Sequence, residues 1–171
     1  MSKSLAVLCL LFLMTTTVKS DVRFWYQDGN WTVWNEKTKC KAVNRPVIET
    51  SHAPYMSFWF VHDLANPGVS IDAYFWPGVF VQGTKFNINL LVSYGDEQIT
   101  VPAEAGLDFA LRTDRPLSQT EIDLLVKQSL LIVKPENSSF SIAVDAVKVP
   151  IVLQQLKVCA DVLGRAAQNP E

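Results

Sequence analysis

The segment FNINLLV, Phe86 to Val92, decides how the chain folds. Phe86, Ile88, Leu90 and Val92 alternate with Asn87, Asn89, Leu91 and Ser93, a period of two with one apolar side. That is the pattern of a strand with one buried face. Tyr94-Gly95-Asp96-Glu97 turns the chain, and Gln98–Val101 reads as the returning strand, closed by Pro102. Outward from this pair the same grammar repeats. Val69, Ile71, Ala73 and Phe75 alternate with Ser70, Asp72 and Tyr74, between the turns Asn66-Pro67-Gly68 and Trp76-Pro77-Gly78. Tyr55–Val61 (YMSFWFV) is apolar on both alternations, which predicts a strand in the middle of a sheet, covered on both sides.

Nearer the N-terminus, Val22–Gln27, Trp31–Trp34 and Lys39–Asn44 are short runs of aromatic and β-branched residues. Asp28-Gly29 between the first two is a hairpin signal. Leu107–Leu111 reads as a further short strand.

The period changes after Leu117. Ser118 followed three residues later by Glu121 is a capping box, and Ile122, Leu125 and Val126 predict a helix of about ten residues ending near Gln128. Two strands follow, Leu130–Val133 and Phe140–Val144. From Val149-Pro150 onward, Val149, Val152, Leu153, Leu156, Cys159, Ala160 and Leu163 mark one face of a last helix, ended by Gly164 or by the polar tail. The expected fold is mainly β, an antiparallel β-sandwich with one internal helix and one C-terminal helix.

The first 20 residues stand apart. Lys3, the apolar run Leu5–Met14 and the ending Val18-Lys19-Ser20 read as a cleaved secretory signal, with residues 21–171 as a single domain. The apolar run of about ten residues is too short to span a bilayer, which takes roughly 20, and Leu8 before Cys9 does not suit a lipid anchor. Export implies a secreted or periplasmic protein. Loss of Lys3 and Lys19 lowers the 15 basic residues to 13 and leaves all 17 acidic ones, a formal charge of −4. No basic run marks a nucleic-acid face, and no later apolar stretch reaches membrane-spanning length.

Outside the signal there are two cysteines, Cys40 in an early strand and Cys159 on the apolar face of the last helix. In an oxidising compartment a bridge between them would fasten that helix to the sheet; the other reading is two buried thiols that merely pack.

The chemistry-bearing residues form no convincing set. His62-Asp63 offers a base and an orienting acid, but no Gly-x-Ser-x-Gly elbow or free cysteine accompanies them. His52 and His62 with Asp63 or Asp72 match no metal-ligand spacing. Carboxylates are scattered and no glycine-rich loop leads from strand to helix. No catalytic, metal or cofactor-binding residue is therefore assigned. Aromatics crowd the first half, and core packing accounts for most of them. Trp25 and Trp34 alternate out of phase with Phe24, Tyr26, Trp31 and Val33, which makes them the candidates for a surface that binds a protein or glycan partner. Asn30-Trp31-Thr32 and Asn137-Ser138-Ser139 fit the N-glycosylation pattern.

An early Trp31-Thr32-Val33 strand leads to Cys40-Lys41-Ala42; the capped helix LSQTEIDLLVKQ precedes the strand pair SLLIV and SFSIAV; the final helix VPIVLQQLKVC carries the second cysteine. In this order of elements the chain resembles small bacterial periplasmic proteins of the invasion-associated locus B type and related uncharacterised secreted families. Ser51–Pro102 has no counterpart in that pattern, and Val149-Pro150 replaces the small residues that usually open the last helix. The resemblance implies a cell-envelope β-sandwich without known catalysis, associated in some cases with host interaction or virulence, and transfers no catalytic residue. The expected function is a secreted or periplasmic, non-enzymatic binding protein of the envelope. The alternatives are an envelope hydrolase with an unrecognised acid pair, or an inhibitor or immunity protein of a secreted enzyme.

Overall fold

A computed structural model describes residues 23–45, 56–92 and 97–168. The expected signal segment, His52 and the turn expected at Tyr94-Gly95-Asp96 lie outside them. Ten strands follow in chain order: β1 Arg23–Asp28, β2 Trp31–Glu36, β3 Lys39–Asn44, β4 Ser57–Asp63, β5 Asn66–Tyr74, β6 Lys85–Val92, β7 Glu97–Leu107, β8 Ala110–Thr113, β9 Leu130–Pro135 and β10 Ile142–Asp145. Helix α1, Gln119–Leu125, lies between β8 and β9, and α2, Val149–Gln168, follows β10.

The strands form one antiparallel sheet in the order β1-β2-β3-β4-β5-β8-β7-β6-β9-β10. The mainly antiparallel β class with two helices is as expected from the sequence; the strands are joined in a single hydrogen-bonded sheet rather than divided between two. The first five strands run as a meander. The chain then passes over to β6, returns through β7 to place β8 beside β5, and crosses by way of α1 to set β9 beside β6, a Greek-key connection.

Register keeps one face apolar throughout. Val33 lies opposite Ala42, Ala42 opposite Phe60, and Phe60 opposite Ile71. Farther along, Val101 faces Ile88, and Leu90 faces Val133, itself opposite Ile142. All of these are buried. Helix α2 lies across β1–β4 and adds Val149, Val152, Leu156, Cys159 and Ala160 to the same core. Trp31, 1 % exposed, stacks on Phe60 with centroids 5.7 Å apart and donates its indole N–H to the Asp145 carbonyl at 3.1 Å. That bond joins β2 to β10, so the two ends of the sheet approach each other.

Cys40 and Cys159 are bonded as a disulfide across 119 positions, with Cα atoms 6.1 Å apart. Both are buried. The bridge fixes α2 to β3, as one of the two sequence readings required.

Three local expectations change. Pro102 does not close a strand: β7 runs through it to Leu107. Pro102 lies opposite Asn87, whose carbonyl accepts from Glu136 N–H on the far side of β6. The Pro102 backbone therefore faces β8, where its carbonyl accepts from Asp114 N–H at 2.9 Å. Its missing N–H falls just past the end of β8, where it costs the ladder little. The strand expected at Leu107–Leu111 divides at Asp108-Phe109, after a bulge between Ala105 and Leu107, so that β8 starts at Ala110. Helix α1 has its capping box, with Glu121 N–H donating to Ser118 Oγ and Ser118 N–H to Glu121 Oε2. It ends early because Lys127 and Gln128 donate to carbonyls only three residues back, which tightens the last turn before β9.

Candidate functional site

The side of β2–β5 and β8 away from the core carries most of the chemistry. Strand alternation puts Trp34 and Glu36 of β2, Lys39 and Lys41 of β3, Trp59 and Val61 of β4, Asp72 and Tyr74 of β5, and Arg112 of β8 on this outer face. In register, Trp34 is opposite Lys41, Lys41 opposite Val61, Trp59 opposite Asp72, and Asp72 opposite Arg112. The large rings touch along the diagonal of this grid, where long side chains reach each other. Trp34 meets Trp59 edge to face at 5.4 Å, Trp59 meets Tyr74 at 4.8 Å, and Tyr74 meets Phe109 at 6.2 Å. Phe109 is held there by its own carbonyl, which accepts from Phe75 N–H at 2.7 Å. The interplanar angles are 72°, 44° and 35°, so the rings rotate progressively along the row. All four are half-buried.

Polar groups are interleaved with the rings. Trp59 donates its indole N–H to Ser57 Oγ at 2.7 Å, and Lys41 Nζ lies 5.4 Å from its ring centroid while pairing with Glu36. Asp72, 3 % exposed, is gripped at both oxygens by Arg112 Nε and Nη2, each at 2.8 Å. This bidentate hydrogen bonding raises the Arg112 pKa. Tyr74 is pushed up by burial and then by Asp72. The Lys41 hydrogen bond lowers Glu36, and the Lys39 hydrogen bond, at 2.8 Å, lowers Asp63. The three acids of the row are thus each matched by a cation: Glu36 by Lys41, Asp63 by Lys39, Asp72 by Arg112. A groove of about 340 Å³ continues from the row between Lys39, Ser70, Arg112 and Arg115.

No family model, curated protein or solved structure matches the chain. The site therefore rests on its geometry.

Trp34 lies in the row. Trp25, at the bulge between Phe24 and Tyr26, is half-buried and packs against the core. The residues that sequence reasoning did not single out are Trp59, Tyr74, Phe109, Lys41 and the Asp72–Arg112 pair. Asp72 and Tyr74 stood on the polar side of the Val69–Phe75 alternation, and that side was the available signal. Trp59 was hidden because β4 is apolar on both sides.

His62 and Asp63 belong to opposite faces. His62 lies beside Cys40, and burial lowers its pKa against the opposing pull of Asp161 and Asp63. Asp63 accepts from Lys39 and from Ala65 N–H at 3.0 Å on the other side. Among the described residues no group of three or more His, Cys, Asp or Glu is arranged to hold a metal ion. Nor is any helix among them long and apolar enough to cross a membrane. Asn137, in the left-handed region at φ 57°, is exposed in the turn after β9, while the Asn30 carbonyl accepts from Arg45 N–H in the β1–β2 turn.

Proposed function

We propose that the protein is an exported, non-enzymatic interaction protein of the cell envelope, and that it engages its partner with the outer face of β2–β5 and β8. The observation that carries this reading is the diagonal row Trp34–Trp59–Tyr74–Phe109, set on β2, β4, β5 and the β7–β8 turn with hydrogen-bonding groups beside the rings. Aromatic side chains on a rigid sheet lose little conformational freedom on binding, and Trp, Tyr and Arg dominate the energetics of recognition surfaces. The Cys40–Cys159 disulfide favours a secreted or periplasmic location, because such bonds persist in oxidising compartments. The likeness in element order to envelope proteins of the invasion-associated locus B type points the same way, with host interaction as the associated role. The sandwich-like architecture belongs to this proposal too, and the Trp31–Asp145 bond between β2 and β10 supports it.

The test is retention of a partner from envelope and host-surface fractions on immobilised mature protein, beside a Trp34→Ala/Trp59→Ala variant. The wild type is expected to retain a partner that the variant releases. Turnover of a cell-wall substrate with no outer-face dependence would instead favour an envelope hydrolase.

A further inference from the structure

We infer that the ligand of the outer face is a single chain of neutral pyranose sugar. This rests on that face being the binding surface, and it adds the chemical class. A pyranose has an apolar C–H face, which stacks on an aromatic ring, and a rim of hydroxyls that both donate and accept hydrogen bonds. The row offers that alternation: rings at Trp34, Trp59, Tyr74 and Phe109, with Ser57, Lys41, Asp72 and Arg112 beside them.

The layout agrees. Successive ring centroids are 5.4, 4.8 and 6.2 Å apart, on a path that runs from β2 over β3 to β4, β5 and the β7–β8 turn. The rings pack on one another edge to face or tilted, so they form one narrow apolar strip, along which the C–H faces of a short sugar chain can lie across the strands. The rotation of the ring planes suits a chain whose residues turn relative to one another; a flat array would suit a crystalline surface.

The charge pattern favours a neutral ligand. Each acid in the row is paired with a cation. A charged glycan would meet the like charge as well as the opposite one of each pair and gain little net attraction, while hydroxyls hydrogen-bond to the outward edges of those pairs without separating them. A protein partner is less well matched, because the half-buried rings form a narrow row flanked on both sides by charged groups. They do not form the continuous apolar centre of a protein interface.

The experiment titrates the folded, oxidised protein with cello-, laminari-, xylo-, malto- and chito-oligosaccharides of increasing length, beside uronic-acid and phosphorylated oligosaccharides, reading the indole N–H signals by NMR. At least one series is expected to shift the Trp34 and Trp59 signals, with affinity rising with length until the row is covered. The Trp31 signal, held by Asp145 in the core, stays in place. Trp59→Ala weakens binding by about tenfold or more, Trp59→Phe by less, and raising the salt concentration leaves affinity unchanged. Binding only of uronic-acid or phosphorylated glycans, weakened by salt, would overturn the inference. No glycan binding, with a protein partner still lost from the Trp34→Ala/Trp59→Ala variant, would overturn it and leave the outer-face reading standing. No glycan binding and no outer-face dependence for any partner would overturn both.

Discussion

Reducing the Cys40–Cys159 bond in the wild-type protein removes a constraint without changing the composition of the core. The two residues are separated by 119 positions. The chain-entropy relation for a loop of that length gives about 5 kcal/mol at 25 °C, acting on the unfolded chain. Domains of this size have a total stability of about 5–15 kcal/mol, so the bond accounts for a third or more of the margin. With a urea slope of about 2 kcal/mol per molar, the unfolding midpoint is expected to fall by about 2.5 M on reduction. Cys40→Ala/Cys159→Ala should fall further, by about 1 kcal/mol for each buried sulfur whose contacts are lost. Hydrogen exchange tells the two possible actions of the bond apart. An effect on the unfolded chain lowers protection in β6, β7 and α2 together, whereas simple detachment of a tethered helix lowers it in Val149–Gln168 alone. Midpoints for oxidised and reduced protein that agree within about 0.5 M would refute the loop-closure reasoning.

Gly68 has φ +125°, and a Cβ placed there would lie 2.7 Å from Pro116 Cβ. Gly68→Ala is expected to cost about 2–3 kcal/mol in a thermal melt, against about 1 kcal/mol for Gly29→Ala, which also has positive φ but open space around it. Glu121 is lowered from 4.5 to about 2 by its hydrogen bond from Arg115, assisted by Ser118. Its contribution is therefore complete above pH 4.5 and is lost as the pH falls through 2; after discounting for solvent screening it amounts to about 1 kcal/mol. Glu121→Gln should unfold more readily than the wild type at neutral pH and match it near pH 2. Arg112→Met strands the buried Asp72 carboxylate and should cost about 2–3 kcal/mol in urea titration, while Asp72→Asn/Arg112→Met should recover most of it.

The inner face was readable because each strand carries its own alternation. Ile88 and Leu90, or Ile71 and Ala73, declare their side without reference to any neighbour. Helix α2 and its bridge were legible for a similar reason, since a three-to-four-residue apolar period and two cysteines beyond the first 20 residues are local or countable signals. Strand order was not legible. The passage that places β8 beside β5 and β9 beside β6 depends on which edges are free when each strand docks, and no single residue encodes that. Pro102 looks like a terminator in the sequence because its tolerance depends on β8 stopping opposite it, which only the sheet order sets. The outer row was hidden for the same cause. Trp34, Trp59 and Tyr74 become neighbours only through the registers of β2 with β3, β3 with β4 and β4 with β5.

The energetics of the outer face bear on its role. Stability alone explains part of the ring row, since cross-strand aromatic contacts each contribute about 0.2–1 kcal/mol. It does not explain Asp72. A carboxylate 3 % exposed in the middle of a sheet carries a desolvation cost that its pairing with Arg112 only offsets; an apolar pair of similar volume is often as stable or more so. The core does not need the pair, because Ile71, Ala73 and Leu111 already bury the opposite side of β5 and β8. What the pair does supply is orientation: a guanidinium locked at two of its nitrogens on a side chain that is 60 % exposed. A donor fixed in that way suits a hydroxyl-bearing ligand laid along the rings. Arg112→Lys separates the two roles: it keeps the charge that matches Asp72 but loses the planar fork. A variant that stays folded yet loses oligosaccharide affinity would assign the pair to recognition, and one that binds as well as the wild type would assign it to the sheet alone.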